Sequence, residues 1–135
     1  MSRYLLDSNH ASPLVTLRHP LRERIAQAQA SGDSFGLIAP VITEVVFGFS
    51  MLPRSVHNQG EWDRLRPGFQ VYVIDEDLAL AAALLQAALR RRGRQLTTVD
   101  ALSAVVAVRD DLILLTTDAD FDAVPGLRTD NWLRM

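Results

Sequence analysis

The chain has 135 residues, 48% of them hydrophobic and 22% charged, with a net charge of −2. These values suit one packed domain and exclude intrinsic disorder, which needs low hydrophobicity and high net charge. The lack of cysteine removes disulfide frameworks, thiolate metal sites and cysteine nucleophiles, and the mild acidity argues against a general basic coat for nucleic acid.

Tyr4-Leu5-Leu6 is a short apolar run cut off by Asp7-Ser8-Asn9, which reads as a buried strand feeding a loop or helix. That acid comes too early for a signal peptide, and the longest apolar run, Leu78–Leu85, falls far short of the ~20 residues that span a membrane. The expectation is a soluble, cytoplasmic protein without a membrane partner. A helix follows over Pro20–Ala30, closed by Ser31-Gly32-Asp33, and a second strand over Phe35–Ala39. Pro40 fits the first turn of a helix running to about Leu52, ended by Pro53. Ser55–Pro67 predicts a polar helix with Trp62 and Leu65 on one face, and Val71–Ile74 a third strand.

Asp77 is expected to cap a long Ala/Leu helix, Leu78–Arg92, closed by Gly93. Thr97 opens a helix over Val99–Val108. Leu112–Leu115 is the fourth strand, running into Thr116-Thr117-Asp118, and the tail holds a short strand near Leu127–Thr129 and then Trp132. Short apolar strands alternating with helices predict a three-layer α/β/α fold. Its central parallel sheet would have four to five strands, in a single domain over residues 1–135.

In such sheets ligands bind beyond the carboxyl ends of the strands, where the strand order reverses. Asp7 and Asp118 fall at strand ends, and Glu44 and Asp100 near helix starts. Four converging carboxylates would repel one another and raise their pKa values, and a divalent cation held by oxygen ligands relieves that repulsion. Each acid also has a plainer reading. Asp100 completes a capping box with Thr97, Glu44 lies early in its helix where negative charge is favoured, and Asp118 suits a turn. Asp7, directly after a buried strand, is the hardest to explain away. The three histidines, at positions 10, 19 and 57, lack the spacing of a zinc site.

The opening Tyr4-Leu5-Leu6-Asp7-Ser8-Asn9 resembles that of PIN-domain ribonucleases, particularly the VapC-type toxins of bacterial toxin–antitoxin pairs. Ile42-Thr43-Glu44-Val45-Val46-Phe47-Gly48 is similar to that family's second motif, Thr98–Ala104 around Asp100 to its third, and Leu114–Phe121 around Asp118 to its fourth. The resemblance implies an Mg²⁺-dependent endoribonuclease, with Mn²⁺ as a substitute, that leaves 3′-hydroxyl and 5′-phosphate ends. Asp7, Glu44, Asp100 and Asp118 would be its acidic cluster, with Asp7, Asp100 and Asp118 as the metal ligands. Ser8, Asn9 and Thr116 stand at supporting positions, and Asp120 rivals Asp118 for the fourth acid. His10 departs from the apolar residue usual there; packing at the helix start is its plainer reading, contact with RNA the other.

All 14 basic residues are arginine, and Arg90-Arg91-Arg92-Gly93-Arg94 is the one dense run. It suits a helix C-terminus or a phosphate track to the acids, with Arg90, Arg91 and Arg94 as RNA-binding candidates. The helix over 78–89 is more apolar all round than one buried face requires. Core burial explains much of that, and a homodimer, as the resemblance implies, the rest. The resemblance also implies a VapB-like antitoxin that wraps the chain, with Phe47 and Met51 as apolar contacts beside Glu44. The competing readings are a non-toxin PIN nuclease, a PIN-like binding module without catalysis, and a haloacid-dehalogenase-type phosphatase. The last wants Asp where Asn9 stands, and a downstream lysine that this chain lacks.

Overall fold

Five short strands form one parallel sheet: β1 (Arg3–Leu6), β2 (Ser34–Ile38), β3 (Gln70–Tyr72), β4 (Ile113–Leu115) and β5 (Arg128–Asp130). Their spatial order is β3-β2-β1-β4-β5, in a computed structural model that describes residues 1–134. Six helices connect them: α1 (Ser8–Ala11), α2 (Pro20–Ala30), α3 (Ala39–Ser50), α4 (Ser55–Leu65), α5 (Glu76–Arg91) and α6 (Thr98–Arg109). Parallel crossovers are right-handed, so a reversal of direction along the sheet moves the next helices to the other face. The chain steps outward from β1 to β3 and then returns to β4. Accordingly α1 to α4 pack among themselves, and α5 packs with α6. This is the three-layer α/β/α arrangement expected, with five strands.

The central strands are buried on both faces, which is why they read as unbroken apolar runs. Leu5, Leu6, Leu37, Ile38, Leu114 and Leu115 are wholly shielded from solvent, each worth about 1.5–3 kcal/mol of transfer free energy. A Cβ at Gly36 would collide with the Tyr72 ring, so the close pairing of β2 with β3 requires glycine there. Buried Glu61 on α4 meets Arg22 of α2 at 2.9 Å and Arg64 at 3.4 Å. The Arg22 guanidinium beside it holds the Glu61 carboxyl below its usual range. No helix among the described residues is long and apolar enough to cross a membrane.

Several boundaries differ from expectation. Ala39 begins α3 instead of ending β2. The same helix stops at Ser50, since Pro53 disfavours helical geometry just before itself. Strand β3 ends at Tyr72, the partner of Ile38 at the end of β2, and leaves Val73 exposed. Asp75, not Asp77, caps α5. Its carboxylate accepts the Leu78 N–H at 2.9 Å, the three-residue reach of a cap, and Asp77 lies inside the first turn. The last strand sits one residue later than expected, at Arg128–Asp130.

Candidate active site

Strands β1 and β4 are neighbours at the reversal of strand order, and Asp7 and Asp118 follow them. Asp7 is only 4% exposed, so its carboxylate needs internal donors. Oδ1 accepts the Ser8 backbone N–H at 2.9 Å. Oδ2 accepts the Thr116 hydroxyl at 2.7 Å and the Asn9 amide at 3.0 Å. The Thr116 oxygen in turn accepts the Asp118 N–H at 3.0 Å, which ties the two strand ends together. Ser8, Asn9 and Thr116 thus all stand at the first acid, Ser8 through its backbone.

The plainer readings of the other acids hold in part. Thr97 caps α6 by accepting the Asp100 N–H at 3.2 Å, and Asp118 caps the 3-10 turn Ala119–Ala123 by accepting the Asp120 N–H at 2.9 Å. Glu44 is the exception. With α3 beginning at Ala39 it lies beyond the first turn, outside the stretch where a helix N-terminus favours an acid.

Electrostatics shows that these acids share one space. Asp100 is pushed up to about 6, first by burial and then by the charge of Asp7, with smaller contributions from Asp118 and Glu44 and an opposing hydrogen bond from Thr97. Glu44 is also raised, by burial and then by Asp7. Asp120 does not enter either set. No ion pair links any of the four acids to a cationic side chain among the described residues. Nor do three carboxylates there already stand grouped to hold an ion. Asp7 and Asp118 are instead turned toward local donors. The donor set, all oxygen and uncompensated, fits a hard divalent cation.

A cleft of about 570 Å³ is lined by Asp100, Asp118 and Asp120 together with Arg90, Arg94 and Gln95. Asp7 and Glu44 do not line it. Gly93, at φ 75°, makes the left-handed turn that ends α5. The Arg94 N–H returns to the Leu89 carbonyl at 2.9 Å and the Gly93 N–H to that of Arg90 at 3.0 Å. This turn sets Arg94 beside Arg90 at the cleft, whereas Arg91, named with them from sequence, lies outside it and is exposed.

His10 is fully buried, in line with its packing role. Sequence reasoning missed that both ring nitrogens are engaged, Nδ1 with Asn9 Oδ1 at 2.7 Å and Nε2 with the Trp132 N–H at 3.0 Å. A histidine in a slot otherwise apolar was the available signal.

The PIN domain family model matches residues 4–127. No curated protein matches significantly. Among solved structures, the chain is similar to VapBC2 from Rickettsia felis bound to a promoter DNA fragment, at 19% identity and TM-score 0.83, covering 96% of this chain and 98% of that one. DNA-bound VapBC from Salmonella typhimurium gives 20% identity and TM-score 0.82, covering 98% and 99%. The sarcin-ricin-loop-cleaving toxin VapC20 of Mycobacterium tuberculosis gives 18% and 0.66, covering 90% and 94%.

Proposed function

The chain belongs to the PIN domain family, and from that premise we propose that it is a divalent-cation-dependent endoribonuclease, the toxin of a toxin–antitoxin pair. The observation that carries the reading is the uncompensated set of four acids, in which Asp7, Asp118 and Glu44 all raise Asp100. Asp7, Asp100 and Asp118 would hold the cation, Mg²⁺ or Mn²⁺, with Glu44 completing the cluster. When bound, the cation supplies Lewis acidity toward water and phosphate oxygens.

The chain's own residues do the rest. Ser8, Asn9 and Thr116 hold the Asp7 carboxylate in place by donating to both of its oxygens. Arg90 and Arg94 bind phosphates of the strand leading to the acids, while Asp120 borders that path. RNA as substrate places the work in the cytoplasm.

The toxin assignment draws support from the fold shared with VapBC complexes. It is also supported by the exposed apolar end of α3, where Phe47 is 68% and Met51 71% exposed. An antitoxin segment that laid an apolar helix face there would stand beside Glu44. Leu80 and Leu84, exposed on α5, offer a second copy of the chain its contact. The test is cleavage of total RNA by the purified protein. Cutting is expected with Mg²⁺ or Mn²⁺ and silence in EDTA, with growth arrest on expression relieved by the antitoxin. Undiminished cleavage in EDTA would overturn the site, and harmless expression of an RNA-cutting chain the toxin role.

A further inference from the structure

We propose that His10 is a positioning residue for the acidic site: its ring, anchored on the backbone of Trp132, orients the Asn9 amide that holds Asp7. This rests on the nuclease reading for its consequence and on a chain of hydrogen bonds for its geometry.

The chain has one consistent set of protons. The Trp132 N–H can only donate, so Nε2 of His10 must be the unprotonated nitrogen that accepts it at 3.0 Å. The ring proton of neutral imidazole then sits on Nδ1 and is donated to Asn9 Oδ1 at 2.7 Å. The Asp7 carboxylate can only accept, so the amino end of Asn9 faces it, at 3.0 Å from Oδ2. Reversing the Asn9 amide would set N–H against N–H at His10 and oxygen against oxygen at Asp7. The backbone N–H of Thr117 also reaches Asn9 Oδ1, but at 3.3 Å and from an exposed residue. The shorter, part-buried His10 bond is the stronger constraint. Burial keeps the ring neutral, its pKa lowered to about 4.

An apolar residue would fill the slot equally well, so two substitutions separate orientation from packing. Asparagine places its amide near the position of Nδ1 and keeps the donor to Asn9; glutamine places its oxygen near Nε2 and keeps the acceptor for Trp132. His10→Gln is expected to melt near the wild type but to lose roughly tenfold in Mn²⁺ affinity, read by electron paramagnetic resonance, and in RNA cleavage, the usual scale for a residue behind a metal ligand. His10→Asn is expected to keep Mn²⁺ affinity and cleavage within about threefold while melting lower. Nitrogen NMR of the wild-type ring should show the Nδ1–H tautomer, whatever the protein cuts. His10→Gln equal to the wild type in Mn²⁺ affinity and cleavage, both variants losing affinity in step with stability, or an Nε2–H tautomer would overturn the proposal alone. A wild-type chain that neither binds Mn²⁺ nor cuts RNA would overturn the nuclease reading, and the role of His10 with it.

Discussion

The acidic cluster at Asp7 and the seam built on His10 begin three residues apart, yet they handle charge in opposite ways. The cluster gathers carboxylates without a cationic partner, and Asp100 rises to about 6 as a result. The seam takes a group that would be half-charged near neutrality and makes it an uncharged connector between α1 and the C-terminal segment. Around it the Tyr4 and Phe35 rings stack at 5.0 Å, Trp132 meets both edge-on, and the Arg24 guanidinium lies 4.0 Å over the Trp132 face. The first region leaves like charges unrelieved, whereas the second pairs both nitrogens of its buried ring, as a scaffold needs.

The sharpest way to break the comparison is to remove one acid from the cluster. Asp100→Asn should lower RNA cleavage by roughly a hundredfold or more while raising the melting temperature of the cation-free protein, because one charge leaves a crowded site. Asp7→Asn should be as inactive but less stable, by about 1–3 kcal/mol, since its new amide N–H would face the donors of Thr116 or Asn9. Thermal melts paired with cleavage assays separate the two. A drop in stability for Asp100→Asn would mean that the acids are not under mutual repulsion.

The next effect is the response to pH, where the two regions have opposite signs. His10 titrates at about 4 when folded and near 6.5 when unfolded. Between those values the unfolded chain binds more protons, so stability climbs with pH across that window, by up to about 3 kcal/mol. The opposing charges of Asp130 and Arg24 are smaller than the burial that sets the shift. Asp100 titrates at about 6 when folded against 3.8 as a free side chain. There the folded chain binds more protons, so stability falls from pH 4 to 6, by about 1 kcal/mol once solvent screening of this half-buried group is allowed for. Denaturation midpoints from pH 4 to 7 should therefore show a steeper acid limb in Asp100→Asn and a shallower one in His10→Gln. Parallel curves would refute the contrast.

Smaller effects sharpen the edges of each region. Each arginine–phosphate pairing removed from the cleft should reduce the salt slope of single-stranded RNA binding by about 0.7. Arg90→Ala and Arg94→Ala should do so and Arg91→Ala should not, as measured by binding titrations at several salt concentrations. In the seam, Arg24→Ala should cost about 0.5–1 kcal/mol of stability and leave cleavage untouched. An equal loss of cleavage would mean that the Arg24–Trp132 stacking, and not only the His10 ring, acts on the cluster.

What was legible in the sequence was whatever local pattern determines. The apolar runs gave the strands, Thr97 three residues before Asp100 gave a helix start, and Asp7 after a buried run stood out because solvent could not account for it. What escaped depends on partners far along the chain or on a turn's exact geometry. His10 looks ordinary until Trp132, 122 residues away, supplies its donor. Buried Glu61 reads as a surface acid until α2 brings Arg22 to it. The four side chains of the arginine run cannot be sorted by sequence, and it is the left-handed turn at Gly93 that places Arg94 with Arg90 and leaves Arg91 outside.

The central place of β1 fixes when the site can exist. Asp7 leaves the ribosome well before its hydroxyl donor Thr116, which is 109 residues behind it, and β1 gains its β4 partner only then. At about 5–20 residues per second, roughly 5–20 s of synthesis separate the first acid from the groups that seat it. Through that interval the nascent chain carries Asp7 without the hydroxyl that seats it, and the acidic cluster cannot assemble until β4 has been made.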